Sequence, residues 1–204
     1  MNDLVFYTNP MSRGRIVRWM LEEVGAPYDT VIVDFKHPKD AAFLALNPMG
    51  KVPVIRHRDT VVSETAAICA YLADAFPDRK LAPPVDQRGA YYRWLFFAAG
   101  PVEAAVTAKA LGLLAPAEKS GMAGYGTFET TIDALEAAVA GREYIAGDAF
   151  SAADVYVGSQ IGWGLMFGTM DKRPAFSDYV ARLRARPVAQ RASALDDAAM
   201  PKKA

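Results

Sequence analysis

The chain has 204 residues, 52% of them apolar and 23% charged, an ordinary composition for one large globular domain or two small ones, with enough apolar residues for a sizeable core. Its 23 Lys and Arg equal its 23 Asp and Glu, and with no run of like charges neither nucleic acid nor an anionic membrane is an expected partner. The single cysteine, Cys69, excludes an internal disulfide or a multi-cysteine metal cluster, and two histidines, His37 and His57, are too few for most zinc sites, so no metal is expected.

The amino end goes directly into the β-rich run Leu4-Val5-Phe6-Tyr7, with no charged start leading into an apolar signal core. No stretch that follows is long and apolar enough to span a bilayer, and a cytoplasmic location is the expectation. Helical periodicity covers residues 15–24, and Gly25-Ala26-Pro27 stops that helix with a glycine just past its end and a proline beyond. Strand signals follow at residues 30–34, 53–56 and 61–62, and a second helical pattern at 65–76. This order, βαβ and then ββα, predicts an α/β first half. Residues 77–84, Pro-Asp-Arg-Lys-Leu-Ala-Pro-Pro, form a polar, proline-rich passage through which no helix continues. The domain boundary is expected there, with residues 1–79 forming one domain and 86–204 the other.

Beyond that passage the strand signals cease. A long helix is predicted from Asp86 toward Leu114 with Pro101 as an interior kink, and a second from about Met122 to Ala140, ended by Gly141. Ser151-Ala152-Ala153-Asp154 matches a capping box, with Asp154 replacing the usual glutamate at the third helical position. Residues 155–167 are apolar on nearly every face and predict a buried central helix, whereas 176–186 predict an amphipathic outer one. Residues 192–204 are expected to be a loosely held tail. The second half is therefore all-α.

Two short motifs carry the functional signal. In Asn47-Pro48-Met49-Gly50-Lys51-Val52-Pro53-Val54, Pro53 sits where an extended segment begins, so it either ends strand pairing or is cis and turns the backbone of Val52 outward. A peptide-like ligand can pair with that backbone. Ten residues after Pro53, Ser63-Glu64-Thr65 opens an apolar helix whose N-terminus favours a carboxylate, while Glu64 offers a counter-charge for an ammonium. A zwitterion fits that corner.

The order of elements, the Asn47 to Pro53 passage, the Ser63-Glu64-Thr65 start and the Ser151 to Asp154 cap together resemble the cytosolic glutathione transferases over essentially the whole chain. The resemblance implies a thioredoxin-like amino-terminal domain with a mixed four-stranded sheet and an all-helical carboxy-terminal domain. It also implies a homodimer, glutathione as co-substrate, and a role in detoxification. Carried over position by position, Val52 before a cis Pro53 pairs its backbone with the cysteinyl part of glutathione, and Glu64 and Thr65 hold the γ-glutamyl end. Lys51 falls where some classes meet the glycine carboxylate, and His37 lies near another such contact; a point charge and a hydrogen-bond donor suit a carboxylate.

Chemistry in this family needs a lowered thiol pKa, since a free thiol near pKa 8.5 is only a few per cent thiolate at about pH 7. The activating donor is expected where the first strand gives way to the first helix, in Tyr7-Thr8-Asn9-Pro10-Met11-Ser12-Arg13-Gly14-Arg15. Ser12 is the first choice, because a hydroxyl beside helix N-terminal amides can face a ligand, although the same hydroxyl also suits a helix cap. Aligned on the end of the first helix, Tyr7 takes the place of the family's catalytic tyrosine; aligned on Arg13-Gly14-Arg15, Asn9 does. The serine classes put theirs on or next to Met11, and the three donors stay open. Of Arg13, Arg15 and Arg18, Arg13 is the candidate for ligand contact. Cys69 reads as a small buried hydrophobe, so chemistry through a protein mixed disulfide is disfavoured.

The implied activity is conjugation of glutathione, as a thiolate, to an electrophilic apolar small molecule. That second substrate is expected against aromatic surface among Tyr91, Tyr92, Trp94, Phe96, Phe97, Tyr125, Trp163 and Phe167, with Met11 and Met122. The rival enzyme readings are a glutathione-dependent isomerase or dehalogenase and a peroxide or disulfide reductase that uses no protein cysteine. The rival of another class is a non-catalytic ligand-binding or structural protein of the same fold.

Overall fold

The computed structural model describes residues 2–201, and within them the chain forms two compact units, one from residues 2–80 with 186–201 and one from Leu81–Ala185. In the first, strands β1 (Leu4–Thr8), β2 (Asp29–Ile32), β3 (Val54–His57) and β4 (Thr60–Ser63) make one sheet in the order β2-β1-β3-β4. β1 runs parallel to β2 and antiparallel to β3, and β3 antiparallel to β4. The sheet is therefore mixed, as the resemblance implies.

Successive side chains of a strand face opposite sides of its sheet, and β1 uses both. Phe6 lies under the guanidinium of Arg18 in helix α1 (Gly14–Val24). Tyr7 turns the other way onto Phe43 of the six-residue helix α2 (Ala41–Leu46), in an apolar cluster with Val33 and Val54. α2 escapes the sequence reading because six residues are too few to show a helical period. Helix α3 (Thr65–Ala75) contributes Ile68, Cys69 and Leu72, all fully buried. Burial pushes the Cys69 thiol far above its ordinary pKa, as suits a small hydrophobe.

The second unit is helical. Helix α4 (Gly89–Phe97) runs through a π-helical turn at Ala98–Val102 into α5 (Glu103–Leu111). Pro101 has no N–H to donate and sits in that wider turn, which absorbs the gap without ending the helix. Helix α6 (Phe128–Val139) starts six residues later than Met122, because Thr127 and Thr130 form a capping box at its head; residues 117–122 are a 3₁₀ segment. Helix α7 (Ala152–Phe167) is the buried centre, and α8 (Pro174–Arg184) packs along it. A Cβ on Gly158 would collide with Leu183, so glycine there lets the two helices approach.

The Ser151 to Asp154 box is present, and its aspartate does more than cap. Asp154, fully buried, accepts from Ser151 N (2.9 Å), Ser151 Oγ (3.0 Å), Ile145 N (2.8 Å) and the hydroxyl of Tyr179 in α8 (2.7 Å). One carboxylate joins the loop before α7, its first turn and α8.

The chain end departs from the expected loose tail. Helix α9 (Pro187–Ala198) packs against α1 within the first unit, so residues 186–201 do not belong with the helical unit; residues 202–204, like Met1, lie outside those described. Its attachment is largely ionic: Arg186 forks onto Glu23 (2.9 Å twice), Arg191 reaches Glu22 (2.6 Å), Arg15 meets Asp197 (2.5 Å) and Arg18 meets Asp196 (3.2 Å). Such a helix carries no broad apolar stripe for periodicity to detect. Among the described residues no helix is long and apolar enough to cross a membrane.

Candidate active site

The strand register gathers the motifs at one end of the sheet. Thr8 lies opposite Ile32, Tyr7 opposite Val54 and Val54 opposite Ser63. One step past these pairs, Pro53 comes level with Thr8 on one side and Glu64 on the other. The loops leaving β1 and β2, the segment entering β3 and the head of α3 thus share an edge.

The peptide bond between Val52 and Pro53 is cis, and both ladders begin only at Val54, so Val52 lies outside them. The approach is held by Asn47, a buried side chain that donates from Nδ2 to Lys51 O (2.9 Å) and accepts from Met49 N (3.2 Å). Gly50, at φ 63°, completes the turn in a conformation few other residues adopt. Across the gap Glu64 has φ 67° and caps α3 without any side-chain hydrogen bond to the helix. Positive φ at a non-glycine residue is uncommon and costs about 1–3 kcal/mol, a strain that concentrates at functional positions. The Glu64 side chain is exposed, Thr65 beside it is buried, and the first amides of α3 have no side-chain cap.

The loop between β1 and α1 engages every candidate donor differently. Asn9, 6% exposed, gives its amide hydrogens to Val33 O (3.0 Å) and takes one from Met11 N (3.0 Å). Ser12, half-buried, donates to Asn9 O (2.6 Å) and accepts from Gly14 N (3.0 Å), so its hydroxyl braces the approach to α1, whose N-cap residue is Arg13. Its backbone N–H also reaches Asn9 O (3.0 Å), so that carbonyl stays satisfied if the hydroxyl turns away. Tyr7 is half-buried on Phe43 and lines a cleft of about 290 Å³ with Val31, Val33, Lys39 and Asp40. Thr8 is fully buried and its hydroxyl has no partner among the described residues. Met11 and Arg13 are exposed, while Arg15 and Arg18 are taken up by α9.

His37 is exposed and paired with Asp34 of its own loop; that bond, with the amide of Lys36, holds the Asp34 carboxyl below its ordinary pKa. The sequence reading passes over Lys39. Its stem lies alongside Gly50, where a built Cβ would stand 3.6 Å from Lys39 Cγ, while its ammonium donates to Asp34 O and lies over the Phe35 ring. Nothing in the sequence joins Lys39 to Gly50 without the fold of the α2 segment. Asn47 was legible as a turn residue but not as a buried clamp.

Of the aromatic residues suggested for a second substrate, Tyr91 and Trp94 are core residues of the helical unit. The Tyr125 hydroxyl accepts from Ala115 N (2.8 Å), and Tyr92, Phe96 and Phe167 are exposed, as are Met11 and Met122.

A thioredoxin-like domain with a cis-proline entry to β3, joined in one chain to an all-helical unit, is the architecture of glutathione-dependent transferases. Residues 11–75 match the family described as Glutathione S-transferase, N-terminal domain. Glutathione S-transferase F10 of Arabidopsis thaliana is 30% identical over 148 residues, 66% of this chain and 68% of that protein. Glutathione S-transferase hmp2 of Hypomyces subiculosus is 28% identical over 198 residues, 88% and 92% of the two chains. A sphingomonad glutathione S-transferase solved in complex with glutathione superimposes with a TM-score of 0.75 at 29% identity, over 95% of this chain and 98% of that one. The chain belongs to the glutathione S-transferase family, and its activity is that of a glutathione transferase.

Proposed function

We propose that the chain binds glutathione along the edge where β1, β3 and α3 meet, activates it as a thiolate, and adds it to an electrophilic apolar small molecule. The observation that carries this reading is the strained, uncapped start of α3 at Glu64, level with the cis Val52–Pro53 entry to β3. A scaffold has no need of both. The γ-glutamyl carboxylate would take the open α3 amides and its ammonium the Glu64 carboxylate, while the cysteinyl backbone would pair with Val52. Lys51 suits the glycine carboxylate, with His37 a further donor if it leaves Asp34. Ser12 would turn its hydroxyl from Asn9 O to the thiol, beside the α1 amides. Exposed Met11 suits an apolar co-substrate. Homodimer formation, a cytoplasmic location and a part in detoxification are included in the proposal on the strength of the family likeness.

Calorimetric titration with glutathione tests the reading. Glu64→Ala is expected to weaken binding by about 10- to 100-fold, the 1.5–3 kcal/mol typical of a hydrogen bond to a charged group. A wild-type protein that takes up no glutathione at millimolar concentration would sink the proposal in favour of a binding or structural role. In the same assay Asn47→Ala should cost about tenfold, because the Lys51 carbonyl loses its buried donor and the β3 entry loosens. An Asn47→Ala protein of unchanged affinity would show that the turn holds itself.

A further inference from the structure

One peptide group in the loop that carries Ser12 is gripped from both sides. The Met11 N–H donates to Asn9 Oδ1 (3.0 Å), and the Pro10 carbonyl on the same peptide accepts from Arg15 Nε (2.7 Å). Arg15 is itself held from the far end of the sequence, where its Nη2 meets Asp197 Oδ1 in α9 at 2.5 Å. The guanidinium is planar and rigid, so fixing one edge on Asp197 fixes the direction in which the other edge presents Nε. The Ser193 hydroxyl, one helical turn earlier, lies 3.5 Å from Asp197 Oδ2. The remaining ion pairs between α1 and α9, at Arg18, Glu22 and Glu23, dock the helix without touching residues 9–12.

We propose that Arg15 and Asp197 are positioning residues for thiol activation: the last helix of the chain, through Asp197 and then Arg15, sets the peptide that places Ser12. Neither touches the reacting sulfur. The role rests on the reading of residues 9–12 as the activating loop, and it adds a dependence on a segment 182 residues away.

The test uses the full-length protein in two arms. In the first, the pH–rate profile with glutathione and a standard aryl halide is followed in Asp197→Ala, Arg15→Ala, Arg15→Lys and the double alanine variant. Asp197→Ala should move the inflection up by about 0.5–1 pH unit and lower kcat below it about 3- to 10-fold, with the glutathione KM within about twofold. Arg15→Ala should lose more, Arg15→Lys should not rescue because an ammonium lacks the fork, and the double variant should match Arg15→Ala because the two act in series. Arg191→Ala, which removes an ion pair between the same helices, should behave as wild type. An equal effect from Arg191→Ala would overturn the proposal in favour of general helix docking, and an unmoved inflection in Asp197→Ala would overturn it outright.

The second arm needs no ligand: amide exchange at Met11, about tenfold or more faster in Asp197→Ala than in wild type, with the middle of α1 unchanged. Unchanged exchange there would show that Asp197 does not hold the loop. A wild-type protein that leaves the glutathione thiol unshifted would defeat the activation reading itself, and the exchange arm alone would then decide whether Asp197 sets the loop.

Discussion

Replacing Ser12 by alanine is expected to raise the thiol pKa of bound glutathione by about 1–2 pH units while changing glutathione affinity less than about threefold. A free thiol titrates near 8.5, and bringing it to about 6.5 takes roughly 2.7 kcal/mol of preference for the thiolate. A hydrogen bond to a charged sulfur supplies about 1.5–3 kcal/mol, and the amides at the start of α1 supply a further 0.3–1 kcal/mol or so. The sign follows directly. Turnover needs the thiolate, so the wild-type rate rises with pH and levels off above the lowered pKa. In Ser12→Ala that rise moves to higher pH, so the loss is about 10- to 100-fold near pH 6 and shrinks toward pH 9. Ultraviolet absorbance of the bound thiolate against pH measures the shift without a second substrate. If Tyr7→Phe produces it and Ser12→Ala does not, Ser12 only braces the turn before α1 and the phenol is the donor. Asn9→Ala is expected to act differently, since its amide holds Val33 O and Met11 N and its loss should lower stability as well as turnover.

Asp154→Ala is expected to be the most destabilising single change of this kind in the helical unit. Four donors, two amides and two hydroxyls, converge on that buried carboxylate. Removing it leaves them unpaired at about 1–3 kcal/mol each, less than additively, for a total near 4 kcal/mol. For a protein of this size that lowers Tm by roughly 8–16 °C. Thermal unfolding followed by circular dichroism measures it, and a drop under about 3 °C would mean that the hydroxyls of Tyr179 and Ser151 find other partners. Asp154→Asn should recover only part of the loss, because its amide nitrogen would face donors. Glutathione affinity of the folded variant should stay near that of wild type, since the network lies wholly in the helical unit.

The architecture was legible where local chemistry repeats. Alternating apolar runs, Gly25 and the proline-rich passage at 77–84 were enough for the succession of strands and helices in the first half and for the change to helices in the second. The parts that escaped have a common cause. α2 is too short for a period, α6 begins at a Thr127 cap that is less conspicuous than the apolar residues before it, and α9 is held by charges whose partners lie in α1. Residues 47–54 and 63–65 were readable as candidate site segments because turn residues, a proline and a helix start have intrinsic backbone preferences. Lys39 and Arg15 were not readable in their present settings, because their neighbours come from other elements.

By itself the sequence determined the family, the alternation of elements and the chemical types available for holding a zwitterionic peptide. These depend on backbone preference, periodicity and side-chain inventory, which are local properties. Only the tertiary structure decided that Pro53 stands level with Glu64, that Asn9 and Ser12 hydrogen-bond within their own loop, and that the last helix returns to clamp the first. Those are matters of register and of pairing across the chain, set by which distant groups burial and charge bring into contact.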